Sequence, residues 1–110
     1  MNGKAPYPKN LKYVAIAASG SGNNTLVAAL SGRKIRVIAM YLSSAGTVNA
    51  KLQTSAGGTD LTGLLYCVAN CGIVLPYNPA GWCETLSGAL LNLNLSGAVA
   101  VGGTLVYEVV

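Results

Sequence analysis

Short apolar runs that alternate strictly with polar residues recur along this chain. Between residues 47 and 53, Val48, Ala50 and Leu52 fall on one side of an extended backbone and the intervening polar residues fall on the other. A period of two is typical of β-strands with one buried face. No stretch repeats apolar residues at helical spacing over three turns, and only residues 25–30 are compatible with a single helical turn. The pattern therefore predicts an all-β protein.

Turn residues divide the sequence into short runs that predict about eight strands. Gly, Ser, Asn and Pro cluster between the runs and favour turns over regular pairing. The expected strands cover residues 11–18, 25–30, 33–42, 47–53, 61–68, 82–86, 89–95 and 104–110, and residues 73–75 lead into a loop with Pro76 and Pro79. Two glycine-rich segments, 20–22 and 102–103, are interpreted as connections between strands.

The longest of these runs, residues 33–42, is apolar on both sides after its basic start. Strict alternation assigns the odd-numbered residues to one face and the even-numbered residues to the other. The first set is Ile35, Val37, Ala39 and Tyr41, and the second is Arg36, Ile38, Met40 and Leu42. Near-continuous apolar runs are typical of strands buried on both faces. We therefore expect this strand at the centre of a sheet, with both of its faces covered.

The number and spacing of the strands predict the architecture. A chain of 110 residues has room for one domain with its own core. Eight short strands joined by hairpins and longer crossings predict a single-domain β-sandwich, jelly-roll-like, over residues 11–110. An open barrel is the alternative. Residues 1–10, which include Pro6 and Pro8, are expected to form an extended arm, or else a frayed terminus without a role.

The composition indicates a surface that other chains cover in part. Hydrophobic residues make up 52% of the chain and charged residues 9%, against about 25% charged residues in typical soluble domains. Neutral polar residues and 14 glycines supply part of the missing polar surface. Because contiguous exposed apolar patches usually mark interaction sites, we expect association with other chains. The alternative is an unusually hydrophobic monomer.

Charge is distributed unevenly along the chain. All seven basic residues precede position 52, and the three acids, Asp60, Glu84 and Glu108, follow it, for a net charge of +4. An acidic protein surface is therefore the expected partner. Nucleic acid is not an expected partner, because the chain has no Phe and the basic cluster at residues 33–36 lacks interleaved aromatic residues.

Neither a membrane nor an export signal is expected. The longest apolar run is much shorter than the roughly 20 residues that cross a bilayer. The polar residues 1–10 do not resemble a signal peptide, and the apolar residues 13–18 are too few for its hydrophobic region. We expect the protein to be made in the cytoplasm.

The side chains needed for catalysis are scarce. The chain has no His, so neither a Ser/His/Asp nor a Cys/His arrangement is available. A glycosidase requires two carboxyl groups at a defined separation, and Asp60 in a loop with Glu84 is the conceivable pair. The favoured interpretation is that these acids are solvated charges that protect sheet edges. We expect a protein that is not an enzyme.

Three cysteines, Cys67, Cys71 and Cys83, raise the question of a metal or a disulfide. A structural zinc site takes four ligands, and the CxxxC spacing with three thiols and no His does not supply them. We therefore expect no metal and no cofactor. A disulfide between Cys67 and Cys71, a disulfide between Cys71 and Cys83, and three free, partly buried thiols remain open.

Two aromatic residues, Tyr77 and Trp82, lie in a loop rich in Pro and Gly. An exposed indole in such a loop can stack on a sugar. It can also anchor the loop to the sandwich through a hydrogen bond from its N–H to the backbone. The anchoring role is the favoured interpretation, and ligand stacking is the alternative.

The second half of the chain resembles a small β-sandwich found among tailed-phage virion proteins. The resemblance rests on residues 72–85, GIVLPYNPAGWCET, followed by SGALLNLNLSGAVAVGGTLVYEV, and on NTLVAALSGRKIRVIAMYLSS upstream. It covers about residues 12–110. It implies a jelly-roll structural component of a phage particle, a capsid decoration or cement protein on the capsid exterior. Such proteins bind the major capsid protein and commonly act as homotrimers.

On this hypothesis the sandwich bridges capsid subunits and the arm adds a basic contact. The candidate capsid-binding residues are Lys4, Pro6, Tyr7, Pro8, Lys9 and Lys12. The alternative function is a carbohydrate-binding or receptor-binding module of a phage tail or baseplate, with Tyr77 and Trp82 as the stacking residues.

Overall fold

The computed structural model describes residues 10–110, and the arm predicted for residues 1–10, including the candidate contacts at Lys4, Pro6, Tyr7, Pro8 and Lys9, lies almost wholly outside the described residues. Residues 10–110 contain ten strands and no helix. The strands are β1 (Leu11–Ala18), β2 (Gly22–Val27), β3 (Ile35–Ser44), β4 (Val48–Thr54), β5 (Thr59–Asp60), β6 (Leu65–Cys67), β7 (Gly72–Leu75), β8 (Cys83–Glu84), β9 (Leu91–Leu95) and β10 (Val101–Val109).

These strands form two antiparallel sheets. Sheet A has the order β1, β10, β3, with β7 and β8 both paired to the far side of β3. Sheet B has the order β2, β9, β4, with β5 and β6 both paired to the far side of β4. When each of these short pairs is counted as one interrupted strand, each sheet has four strands, and the chain crosses between the sheets after every strand except β4, as in a jelly roll. The prediction of an all-β, jelly-roll-like sandwich is confirmed.

The inner faces of the two sheets pack together to form the hydrophobic core. The alternation predicted for β4 and β9 is confirmed, because their inward residues are at most 2% exposed. These are Val48, Ala50 and Leu52 on β4 and Leu91, Leu93 and Leu95 on β9. Burial of each large aliphatic side chain contributes about 1.5–3 kcal/mol, so the core needs no Phe.

A β-bulge interrupts the pairing of β3 with β10. Val37 pairs with Tyr107 and Ala39 pairs with Val106, which leaves Ile38 without a partner on β10. A bulge of this kind inserts one residue into one strand and shifts the alternation of every residue beyond it.

The prediction of strict alternation along residues 33–42 was therefore wrong beyond the bulge. Met40 and Leu42 lie in the core, at 2% and 0% exposure, whereas Ala39 and Tyr41 are on the outer face of sheet A. Strand β3 lies centrally in its sheet, as expected. Its outer face is not covered at Tyr41, which is 52% exposed.

Strand β2 begins earlier than predicted and ends earlier. Asn23 and Asn24 belong to the strand, and no helical turn forms at residues 25–30. The Asn24 side chain explains the early start, because its amide nitrogen donates to the Gly20 oxygen at 2.9 Å and to the Leu93 oxygen at 3.3 Å. The side chain thereby ties the preceding turn to strand β9.

The strand predicted over residues 61–68 is interrupted. Only Leu65–Cys67 forms β6. Before it, the Leu61 nitrogen donates to the Leu52 oxygen at 2.7 Å and the Thr62 hydroxyl accepts from the Leu52 nitrogen at 3.1 Å. Asp60, which was expected in a loop, lies in the short strand β5.

Strand β10 includes the glycines that were interpreted as a connection. Gly103 has a φ of +150° and lies against the carbonyl group of Tyr41 on β3, so that an added Cβ atom would overlap the Tyr41 oxygen. At Gly102 the nearest atom to an added Cβ is the Ile16 oxygen, at an ordinary 3.6 Å. A side chain is therefore excluded at Gly103 and tolerated at Gly102.

We predict that Gly103→Ala lowers the free energy of unfolding by about 2 kcal/mol or more, because it combines backbone strain with a steric overlap. Urea unfolding followed by circular dichroism measures the change. Gly102→Ala is the matched control and is expected to change stability by less than about 1 kcal/mol. Equal losses in the two variants would contradict the close approach of β10 to β3.

Candidate interaction face

The outer face of sheet A carries a group of apolar side chains, here called the apolar face. Cross-strand register places them in two neighbouring rows across β1, β10, β3 and β7. The first row contains Tyr13, Val106 and Ala39. The second contains Ala15, Thr104, Tyr41 and Val74. The apolar face consists of Tyr13, Ala15, Ala39, Tyr41, Val74 and Val106.

The largest side chains of the apolar face are open to solvent. Tyr13, Tyr41 and Val74 are 71%, 52% and 63% exposed. Single exposed apolar residues are common on protein surfaces, whereas adjacent ones in a patch mark a site of interaction. Tyr41 and Val74 lie on neighbouring strands, and Val106 and Thr104 of β10 lie between them and β1, which carries Tyr13. This arrangement makes the face the candidate functional site.

The outer face of sheet B differs, because hydrogen-bonded amides cross it. The Gln53 amide donates to Asp60 Oδ1, and Asn92 Nδ2 donates to Gln53 Oε1, both at 2.9 Å. Asn92 Nδ2 also donates to Asn23 Oδ1 at 2.9 Å, and Asn94 Nδ2 reaches the same oxygen at 3.3 Å. We call Asn23, Gln53, Asp60, Asn92 and Asn94 the amide row. It joins β5, β4, β9 and β2.

Two members of the amide row are buried, which the sequence did not predict. Asn92 is 0% exposed and Gln53 is 5% exposed. Asn92 Oδ1 has no hydrogen-bond partner among the described residues. Alternation correctly assigned Asn92 to the side opposite the core, but the side chains that bury it come from strands whose register the sequence does not reveal.

Ion pairs occupy the end of sheet A where β1 begins and β10 ends. Arg36 Nε lies 3.0 Å from Glu84 Oε1, and Arg36 Nη1 lies 3.6 Å from Glu108 Oε1. Lys34 Nζ lies 3.5 Å from Glu84 Oε2. The hydrogen bond from Arg36, with the charges of Arg36 and Lys34, lowers the pKa of Glu84 below its usual value.

Every acidic side chain of the chain is in an ion pair. Glu84 and Glu108 bind Arg36, and Asp60 lies 3.2 Å from Lys51. Lys12, a candidate capsid contact, is exposed on β1 and forms no ion pair within residues 10–110. The net positive charge is therefore carried by basic residues in the first part of the chain, including Lys12.

The carboxylate pair considered for a glycosidase is not brought together. Asp60 lies in β5 of sheet B and Glu84 lies in β8 of sheet A. Each carboxylate is held by its own basic partner, Lys51 or Arg36. A cleft flanked by these two acids, as that reaction requires, is not formed.

The loop between β7 and β8 runs along the bulge of β3. The Asn78 nitrogen donates to the Ile38 oxygen at 3.0 Å, and the Trp82 nitrogen donates to the Val37 oxygen at 2.8 Å. Trp82 Nε1 donates to the Pro76 oxygen at 2.7 Å, which closes the loop. Trp82 and Tyr77 remain 45% and 50% exposed. The hydrogen bond needed for anchoring and the exposed rings needed for ligand stacking are both present.

All three cysteines are free thiols. Cys83 pairs with Val37 at one end of β3, whereas Cys71 precedes Gly72, which pairs with Ser43 at the other end. Six residues of strand separate these positions, or roughly 20 Å at about 3.3 Å per residue. A disulfide between Cys71 and Cys83 is therefore excluded, because bridged Cα atoms lie within about 7 Å. Burial raises the pKa of Cys83 to about 11.

Among residues 10–110, no group of three or more His, Cys, Asp or Glu side chains is placed to hold a metal ion. Those residues also contain no helix that is long and apolar enough to span a membrane. In comparisons with protein-family models, with curated proteins and with solved structures, no match to this chain was found.

We predict that Glu84→Gln makes stability less sensitive to acid. Because the folded-state pKa of Glu84 is lowered, its ion pairs stabilise the fold above the unfolded-state pKa, near 4.5, and this contribution is lost as the pH falls through the lower folded-state value. The effect is small, since the pair is partly exposed. Urea midpoints at pH 6 and pH 3 measure it.

Lys12→Gln is the control for this experiment, because it removes a positive charge that has no ion-pair partner in the described part of the chain. The difference between the two midpoints should shrink in Glu84→Gln and stay close to that of the wild type in Lys12→Gln. The same difference in all three proteins would contradict a stabilising role for the pair between Arg36 and Glu84.

Proposed function

We propose that this chain is a non-catalytic structural protein that binds other protein chains through the apolar face. The observation that supports the proposal is the contrast between the two outer faces. Side chains of the amide row bond to one another across sheet B, whereas Tyr13, Tyr41 and Val74 are exposed to water on the outer face of sheet A. A face of this kind gains from being covered by another chain.

The charge distribution favours a partner with acidic groups around an apolar patch. The acidic side chains are held by Arg36, Lys34 and Lys51 within the fold, and the excess positive charge begins near β1, where Lys12 is exposed. A second copy has the same net positive charge, so electrostatics favour a different, acidic chain as the partner, with Lys12 on the side of β1 opposite Tyr13. The proposed occupant of the apolar face is therefore an acidic protein lattice.

The finer proposal is a capsid decoration, or cement, protein of a tailed phage, located on the capsid exterior. It combines the resemblance of residues 12–110 to phage virion proteins with the two-faced sandwich described above. In this proposal the apolar face binds the major capsid protein, the arm over residues 1–10 adds a basic contact, and the protein forms a homo-oligomer, with a trimer favoured.

A second candidate function is carbohydrate or receptor binding on a phage tail or baseplate. It is favoured by the exposed rings of Tyr77 and Trp82, which belong to one loop of sheet A. Glycan binding that is lost in Trp82→Ala and in Tyr77→Ala, with an unchanged circular dichroism spectrum, would support this function over capsid binding.

We predict that Val74→Lys weakens binding to the partner lattice by at least about tenfold, because it places a charge in the apolar face, directly beside Tyr41. The measurement is co-sedimentation with capsids of the phage that encodes the chain, prepared without it. Val68→Lys is the matched control, since Val68 is 66% exposed, like Val74 at 63%, but lies outside the apolar face. Its affinity should stay within about twofold of the wild type.

Equal binding by the two lysine variants would overturn the assignment of the apolar face. No binding by the wild-type protein would overturn the capsid proposal itself. A second pair, Tyr41→Ser and Tyr66→Ser, repeats the comparison without adding charge, because Tyr66 is 76% exposed on the outer face of β6 in sheet B. Electron cryomicroscopy of the complex then locates the chain on the particle.

We predict that removal of residues 1–10 weakens capsid binding and reduces its dependence on salt, because the segment contains Lys4 and Lys9. Co-sedimentation at 50 mM and 500 mM salt compares the shortened and full chains. Analytical ultracentrifugation of both proteins alone tests the homo-oligomer. Unchanged affinity at both salt concentrations would remove the arm from the proposal and leave the apolar face in place.

A further inference from the structure

Two thiols flank the crossing from sheet B to sheet A. Cys67 is the last residue of β6, and Cys71 directly precedes β7. A turn between them is closed by the Cys71 nitrogen, which donates to the Val68 oxygen at 3.1 Å. Asn70 has a φ of +63°, and its nitrogen donates to the Ser44 oxygen at 2.8 Å. The turn is thereby fixed against the end of β3.

The hydroxyl group of Ser44 lies at the two thiols. It is 3.1 Å from the Val68 oxygen and 3.4 Å from Cys71 Sγ. A serine hydroxyl has one proton, which can turn from the Val68 carbonyl towards a sulfur that becomes negatively charged. Ser44 is therefore placed to stabilise a thiolate at Cys71.

The two thiols differ in acidity and in exposure. Hydrogen bonds from Cys67 and then Ser44 lower the pKa of Cys71, whereas burial raises the pKa of Cys67 to about 11. Cys67 is 2% exposed, and Cys71 is partly exposed. An open cavity of about 530 Å³ lies beside the turn and is lined by Ser44 and Asn70. Neither thiol lines this cavity. A small reagent reaches Cys71 because that residue is partly exposed, whereas Cys67 is buried.

We propose that Cys71 and Cys67 form a redox-active pair in which Cys71 is the attacking thiol for low-molecular-weight disulfides and Cys67 is the resolving thiol. The Cys71 thiolate attacks one sulfur of a disulfide such as oxidised glutathione, which forms a mixed disulfide and releases one glutathione thiolate. The Cys67 thiol then loses its proton to solvent and attacks the Cys71 sulfur, and the second glutathione leaves. Two protein thiols are oxidised, and one small disulfide is reduced.

The product is a Cys67–Cys71 disulfide that joins β6 in sheet B to the start of β7 in sheet A. It adds a covalent connection between the sheets at the end of the molecule away from Arg36 and the ion pairs. Cys83 takes no part, because its position on β8 lies at that opposite end of β3.

The test begins with the reduced full-length protein in excess oxidised glutathione at pH 7.5. Acid quenching, alkylation and peptide mass spectrometry then report the state of each cysteine. We expect the peptide that spans Cys67 and Cys71 to lose two hydrogen masses and Cys83 to remain alkylatable after unfolding. The oxidised protein should also show a higher Tm than the reduced protein, since the link restricts the unfolded chain.

Single variants separate the two roles. Cys67→Ser should stop at a mixed disulfide with one glutathionyl group on Cys71, and Cys71→Ser should leave Cys67 unmodified over the same time. Cys83→Ser is the matched control and should form the disulfide at the wild-type rate. Circular dichroism checks that each variant is folded.

The wild-type protein supplies a test that does not depend on any variant. With limiting iodoacetamide at pH 7.5, Cys71 should be alkylated at least about tenfold faster than Cys67 and Cys83, because the thiolate is the reactive form. Faster reaction of Cys67 or Cys83, or glutathione found first on either residue, would overturn the proposal. These results are independent of whether the apolar face binds a capsid.

Discussion

The β-bulge at Ile38 is the local constraint on which the outer surface of sheet A depends. A shift of one residue in a strand exchanges its two faces. Because Ile38 is left out of the ladder with β10, Met40 and Leu42 enter the core and Tyr41 turns outward. The same inserted residue thus directs Met40 and Leu42 into the core and Tyr41 onto the apolar face. The loop between β7 and β8 lies against this bulge, with the Asn78 nitrogen bonded to the Ile38 oxygen.

The outer faces of the two sheets differ in how far their side chains are shielded from water. On sheet B, Gln53 and Asn92 each bond to neighbours on adjacent strands, and Asn92 Oδ1 is left without a partner among the described residues. Buried amides of this kind are stable only when most of their donors and acceptors are paired. Within residues 10–110, Tyr13, Tyr41 and Val74 of sheet A remain exposed, and in the proposed function a second protein surface removes this area from water.

The sequence predicted the positions of the strands better than the register in which they pair. Alternation located β1, the inward faces of β4 and β9 and the two-layer architecture, because these depend on local period and turn residues. It missed the bulge at Ile38, the burial of Asn92 and the close approach at Gly103, since each depends on which residue of a distant strand lies opposite. The low content of charged residues predicted an apolar surface, but only the cross-strand pairing in the structure shows which residues form it.

The size of the apolar face bears on the proposed oligomer. Full burial of a large apolar side chain contributes about 1.5–3 kcal/mol, so Tyr13, Tyr41 and Val74, which are already partly buried, supply roughly 3–6 kcal/mol together. Association costs about 4–15 kcal/mol in lost translational and rotational freedom. One copy held by this face alone therefore binds weakly. In the proposed homo-oligomer, joined copies would lose that freedom once and engage several lattice sites at high effective concentration, so that a face of this size would be sufficient.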